Sequence, residues 1–183
     1  MARVLVPIAP GFEEIEAVTI VDILRRAGAH VVMAGTVPGP VEGRSGIRVL
    51  TDALMDDVGA DYEMIVLPGG ALGAENLKKD ARVSKLITVL MDRGRKVAAI
   101  CAAPTVLSAH GATSGKRITS HPSVREELLS RNELVSDERV VADGNIITSQ
   151  GPGTAMEFAF RLVETLFGKT KAEEVNKGVL ARL

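Results

Sequence analysis

The sequence predicts a three-layer α/β/α sandwich built on a mostly parallel sheet, and two patterns carry that expectation. Short continuous apolar runs such as Val4-Leu5-Val6 and Met64-Ile65-Val66-Leu67 read as strands buried on both faces, because a strand with one wet face would alternate. Between them lie longer segments in which apolar residues recur every three or four positions, the period of an amphipathic helix. Strand, helix, strand in succession lays parallel strands side by side and covers both faces with helices. No internal repeat, low-complexity tract or linker interrupts the alternation, and the 183 residues are read as one domain over 1–183.

The elements follow in order. Arg3 to Ile8 is a short buried strand, Phe12 to Ala27 a helix that stops at Gly28, and His30 to Ala34 a second strand. Gly35 to Asp52 is punctuated by Pro38, Gly39, Pro40, Gly43 and Gly46, which suits two short extended pieces in a hairpin or edge excursion. Glu63 to Leu67 is a buried strand ending at Pro68-Gly69-Gly70, Ala81 to Arg93 a helix, and Lys96 to Ile100 a strand ending at Cys101. Pro104 suits the first turn of the next helix, where its missing N–H costs nothing. Val140 to Thr148 reads as a hairpin turning at Asp143-Gly144. Thr154 with Glu157, and Thr170 with Glu173, have capping-box spacing ahead of two closing helices, the first ending near Gly168.

Composition narrows the function. Lys plus Arg number 22 against 23 Asp plus Glu, so no net field favours nucleic acid or an anionic membrane. One tyrosine, four phenylalanines and no tryptophan offer few rings on which bases stack. No stretch is apolar enough to span a bilayer, and the opening run meets Pro7, Glu13 and Glu14 too soon to form a secretion signal. A single cysteine cannot form an internal disulfide, which suits a reducing compartment, so a cytoplasmic location is expected. No His or Cys cluster has metal-ligand spacing, and neither a P-loop nor a dinucleotide fingerprint is present, so no metal and no cofactor is expected.

Three features converge at the carboxyl ends of the strands, where open parallel sheets build their sites. The first is Cys101, at the turn between a buried strand and a helix start, an arrangement like a nucleophile elbow. A helix start favours thiolate over thiol, so Cys101 is expected to have a lowered pKa; the competing reading is an inert buried cysteine. The second is Glu16, which shares the apolar stripe of the first helix with Phe12, Ile20, Ile23 and Ala27. A carboxyl held against the core has a raised pKa and can carry an exchangeable proton; the competing reading is a rim residue or a dimer salt bridge. Its neighbours Glu13 and Glu14 are explained by the helix dipole. The third is Gly69-Gly70, where backbone N–H groups can approach an oxyanion, although paired glycines are more often only a turn. Of the three histidines, His121 lies in a loop ahead of a helix and can orient substrate or move a proton, or be a solvated surface residue; His30 and His110 read as structural.

Together the segments Ala9 to Glu16, Arg25 to Gly28, Leu67 to Gly70 with Leu72 to Ala74, Ala98 to Thr105, and Ser149 to Thr154 with Glu157-Phe158 resemble the ThiJ/PfpI/DJ-1 superfamily over nearly the whole chain. The resemblance implies a flavodoxin-like sandwich that forms homodimers through the first helix, with Cys101 as the reactive cysteine and Glu16 as its partner acid. It implies further that His121 matches the active-site histidine of some members, that Gly69, Gly70 and Ala102 supply backbone donors, and that Arg26 lies near the dimer contact. Gly43-Arg44-Ser45-Gly46 departs from the family order of Ser before Arg, so no anion-binding role passes to Arg44. Ala102 follows Cys101 where the peptidase-like branch places a histidine, and the late His-x-Glu pair of glutamine amidotransferases is absent, which argues against both.

The activity this implies is that of a glutathione-independent glyoxalase or deglycase. The Cys101 thiolate would attack glyoxal, methylglyoxal or their adducts while Glu16 and His121 move protons. The alternative is a sensor of oxidative stress or a redox-regulated chaperone without turnover, in which Cys101 is oxidised and Glu16 stabilises the product.

Overall fold

The computed structural model describes residues 1–182. Strands β1 (Arg3–Ile8) and β2 (His30–Gly35) flank helix α1 (Glu14–Arg26). A hairpin of β3 (Val41–Glu42) and β4 (Arg48–Val49) and a short β5 (Ala53–Leu54) follow. Next come β6 (Met64–Leu67), α2 (Ala71–Lys79), α3 (Ala81–Asp92), β7 (Lys96–Ile100) and α4 (Pro104–Ala109). The chain continues through β8 (Arg117–Ile118), α5 (Arg125–Ser130), β9 (Leu134–Val135), β10 (Val140–Asp143), β11 (Ile146–Ser149), α6 (Ala155–Phe167) and α7 (Lys169–Val179).

The main sheet has the order β10-β11-β7-β6-β1-β2-β5, antiparallel only at the β10–β11 hairpin. The expected sandwich is therefore present. α1 packs against α6, and α6 against α7; α2 packs against α3 and α4. The continuous apolar strands are explained by this double cover: every residue of β6 is buried, as are Val97 to Ile100 of β7. Each fully buried Leu, Ile or Phe contributes roughly 1.5–3 kcal/mol over its exposed state. Pro7 is tolerated in the central β1 because pairing with β6 covers Val4 and Leu5, while pairing with β2 runs on to Ile8.

Several elements differ from expectation. Helix α1 starts at Glu14, because Glu13 is its N-cap and accepts the Ile15 N–H at 3.3 Å. α2 has no sequence signal of its own: Gly70 precedes it without a side-chain cap, and Asp80 ends it while capping α3 through the Arg82 N–H at 2.9 Å. β5, β8 and β9 are two residues each, too short to show a period. Neither capping box forms. The Thr154 hydroxyl donates to the Gly151 carbonyl at 2.9 Å and Glu157 pairs with Arg139, while α7 starts at Lys169 and so takes Thr170 inside the helix.

Candidate active site

The site is assembled from the ends of β6, β7 and β11 and the first turn of α1. Cys101 follows β7 directly and has φ +65°, a left-handed conformation that costs a non-glycine residue roughly 1–2 kcal/mol. Two backbone bonds hold it there: its N–H donates to Ser149 O at 3.0 Å, and its carbonyl accepts the His121 N–H at 2.9 Å. The side chain turns inward, leaving the residue 8% exposed. The backbone N–H groups of Gly70 and Ala102 lie close enough to the sulfur to favour its charged form.

Glu16 reaches the same point from α1 and is completely buried. Its Oε2 accepts the Gly69 N–H at 2.7 Å, and the carboxyl and the Cys101 thiol are hydrogen-bonding neighbours. Oε1 is buried with no hydrogen-bond partner. Close approach depends on glycine. A Cβ at position 69 would lie 2.5 Å from Cys101 Cβ and 2.7 Å from Glu16 Oε2, and one at Gly70, whose φ is +85°, would lie 2.3 Å from Gly11 O. Gly69 O accepts the Glu13 N–H at 3.0 Å, so the glycine turn and the start of α1 are tied in both directions.

Burial pushes the Glu16 carboxyl up to about 7, against the pull of the Gly69 N–H and the thiol. Burial likewise raises the Cys101 thiol, and the Glu16 carboxylate adds to the effect, up to about 12; the Gly70 and Ala102 N–H groups oppose it. This corrects the expectation of a lowered thiol. The helix that was to favour the thiolate is only six residues long and starts three residues later, whereas the opposing carboxylate is in contact.

A groove of about 740 Å³ is bordered by Pro10, Gly11, Gly43, Arg44, Leu72 and His121; Cys101 and Glu16 do not line it, and the groove approaches them through His121 and the residues next to the glycine turn. The His121 Nδ1 accepts the Ser123 N–H at 3.2 Å and lies 2.8 Å from Ser123 Oγ, so in the neutral ring the proton sits on Nε2. Glu16, Gly69, Gly70 and Ala102 are thus gathered around Cys101, while His121 adjoins it through its backbone N–H and turns its ring to Ser123. Within the set Gly69 is distinct, since its N–H is already engaged by Glu16.

Two neighbours do more than the sequence indicated. Glu14 is buried and its Oε1 accepts the Ser45 N–H at 2.7 Å, anchoring the β3–β4 hairpin that carries Arg44. Arg44 pairs with buried Glu13 at 3.5 Å and faces the groove, a placement that its changed sequence context concealed. Among the described residues, no group of three His, Cys, Asp or Glu side chains is arranged to hold a metal ion. No helix among them is long and apolar enough to cross a membrane.

A parallel-sheet sandwich with a buried thiol at a strand-to-helix elbow, beside a buried carboxyl, defines a cysteine-centred α/β protein. The chain belongs to the DJ-1/PfpI family, whose pattern it matches over residues 2–165. It is 45% identical over 178 residues to Protein dj-1beta of Drosophila melanogaster, covering 96% of this chain and 95% of that one. The crystal structure of Drosophila DJ-1beta superposes with a TM-score of 0.95, at 42% identity and with 100% and 99% of the two chains covered. A Caenorhabditis elegans relative, 37% identical over 166 residues with 90% and 88% covered, is named glutathione-independent glyoxalase DJR-1.2.

Proposed function

We propose that the chain is a glutathione-independent glyoxalase, acting on methylglyoxal and glyoxal and, by the same chemistry, on their adducts. The observation that carries this reading is the buried Glu16–Cys101 pair beside an open groove. A thiol held protonated by burial needs a base at the moment of attack, and Glu16, at about 7, is matched to neutral pH for that task.

In this mechanism Cys101 Sγ adds to the aldehyde carbon while its proton passes to Glu16. The Gly70 and Ala102 N–H groups, which converge on the sulfur, are the donors at hand for the oxyanion. Gly69 serves differently, by orienting the base. The proton taken up by Glu16 is then returned to the oxygen, with the His121 Nε2–H donating a hydrogen bond to it, and the net product is a hemithioacetal. The hydrogen on the former aldehyde carbon then leaves as a proton and one proton is delivered to the neighbouring carbon, while the hydroxyl proton passes to the former ketone oxygen, giving a thioester. Water cleaves it to lactate, or to glycolate from glyoxal, and returns the thiol. No oxidant or reductant is consumed.

The test is methylglyoxal consumption without glutathione, with lactate quantified, for the wild type beside Cys101→Ser. Sustained lactate formation lost in the variant is expected. Stoichiometric modification of Cys101 without lactate would refute turnover and favour a second reading, oxidation sensing, for which the unpartnered Glu16 Oε1 beside the thiol is the supporting observation. The exposed apolar residues Ile15 and Val18 on α1 support a homodimer through that helix.

A further inference from the structure

Buried hydroxyls are unusual in a parallel core strand. Thr148 of β11 follows Ile146 and Ile147 and is fully buried, a place where valine would fill the same space with more apolar surface removed from water. Its Oγ1 accepts the Thr119 N–H at 2.8 Å. That N–H lies just past the end of β8 at Ile118, and Thr119 is itself fully buried. Two residues further on, His121 donates its N–H to Cys101 O at 2.9 Å. The next residue of β11, Ser149, accepts the Cys101 N–H at 3.0 Å. Adjacent residues of one strand therefore hold both the nucleophile and the segment carrying the histidine.

We propose that Thr148 is a positioning residue whose hydroxyl fixes His121 relative to Cys101. The proposal rests on the glyoxalase reading for its consequence in turnover, but its geometry stands without it. Other ties of the segment lead outward: Thr119 Oγ1 donates to Ser136 O at 2.9 Å, and Ser136 N–H to Ile118 O at 2.7 Å. Arg117 of β8 is tied to the main sheet by its N–H, which donates to Asp143 Oδ2 of β10 at 2.9 Å, but from Ile118 to His121 the Thr148 hydroxyl is the side chain that reaches it. Removing it leaves a buried N–H unsatisfied, which the segment can relieve only by moving, and small displacements of a reacting group are costly in rate.

The experiment compares Thr148→Val with Thr148→Ser, each with and without His121→Gln. Thr148→Val is expected to lower kcat about tenfold with KM changed less than about twofold, and Thr148→Ser to stay within about twofold of the wild type. In the His121→Gln background Thr148→Val should add less than about a twofold loss, the signature of two residues acting through one position. Hydrogen exchange at the Thr119 and His121 amides should quicken at least about tenfold while Ala98, in β7, is unchanged. An equal loss of activity in both backgrounds, or unchanged exchange at His121, overturns the proposal. So does global loosening in Thr148→Val and in Thr148→Ala, with Ala98 exchanging as fast as His121, because the hydroxyl would then hold the whole sheet. If the wild type forms no lactate the glyoxalase reading fails, and the exchange measurement still decides this one.

Discussion

Replacing Glu16 by Gln tests the electrostatics of the site through stability alone. The carboxyl rises from its ordinary 4.5 to about 7 in the folded protein, mainly because burial disfavours the charged form. Between those values the folded chain binds more protons than the unfolded one, so folding is favoured there by acid. The sign follows: the contribution is fully present below about pH 4.5, is lost as pH rises through about 7, and above that leaves the carboxylate as a net penalty. At about 1.36 kcal/mol per tenfold change in proton affinity, the full span is roughly 3 kcal/mol, of which about 2.5 kcal/mol falls between about pH 5 and pH 8. Glutamine keeps the shape, can accept the Gly69 N–H and cannot ionise. Urea unfolding of both proteins across that range should therefore show Glu16→Gln gaining on the wild type by about 2.5 kcal/mol as pH rises, on an order-of-magnitude reckoning. A difference that stays flat from about pH 5 to pH 8 would mean that Glu16 ionises as it does in water, and the proposed base would lose its tuning.

Gly69→Ala should reduce lactate formation by about a hundredfold or more and destabilise by roughly 1–3 kcal/mol in urea, since its Cβ would meet Cys101 Cβ at 2.5 Å, Glu16 Oε2 at 2.7 Å and Ile100 O at 2.9 Å. Activity within about tenfold of the wild type would show that the turn yields, and that close packing of thiol and carboxyl is not needed. Ile15→Asp with Val18→Asp, on the exposed face of α1, should convert a dimer to a monomer in sedimentation without loss of fold. A wild type that already sediments as a monomer would dismiss the dimer.

The fold was legible where a segment declares itself by its own pattern. Continuous apolar runs marked β1, β6 and β7, and the Asp143-Gly144 turn marked the β10–β11 hairpin. What failed was local chemistry decided by distant partners. The spacing of Thr154 and Glu157 is that of a capping box, yet Thr154 turns to Ser149 and Gly151, and Glu157 is drawn to Arg139 by bonds that span the β10–β11 hairpin. α2 escaped notice because Gly70 starts it with no capping side chain. The acid on the apolar stripe of α1 pointed to Glu16, because a carboxylate among Ile20 and Ile23 must find a partner. That its partner is the Gly69 N–H, 53 positions away, could not be seen before β6 was set beside α1.

The thiol shows most clearly why sequence gives a site's members more readily than its energetics. A strand followed by a helix placed Cys101 at a nucleophile position, and by the same logic promised it a helix dipole. Dipole effects fade within a turn, and α4 begins three residues beyond the sulfur with only six residues to sum. Burial and the adjoining carboxylate act at contact distance, so they win. The consequence is chemical. A resting thiolate would react with any electrophile that reached it, whereas in the proposed mechanism a thiol kept protonated would become nucleophilic only as Glu16 takes its proton. Reactivity would then be conditional on a carbonyl carbon being in place and on a base poised near neutral pH, which would couple attack to substrate fit rather than to the thiol alone.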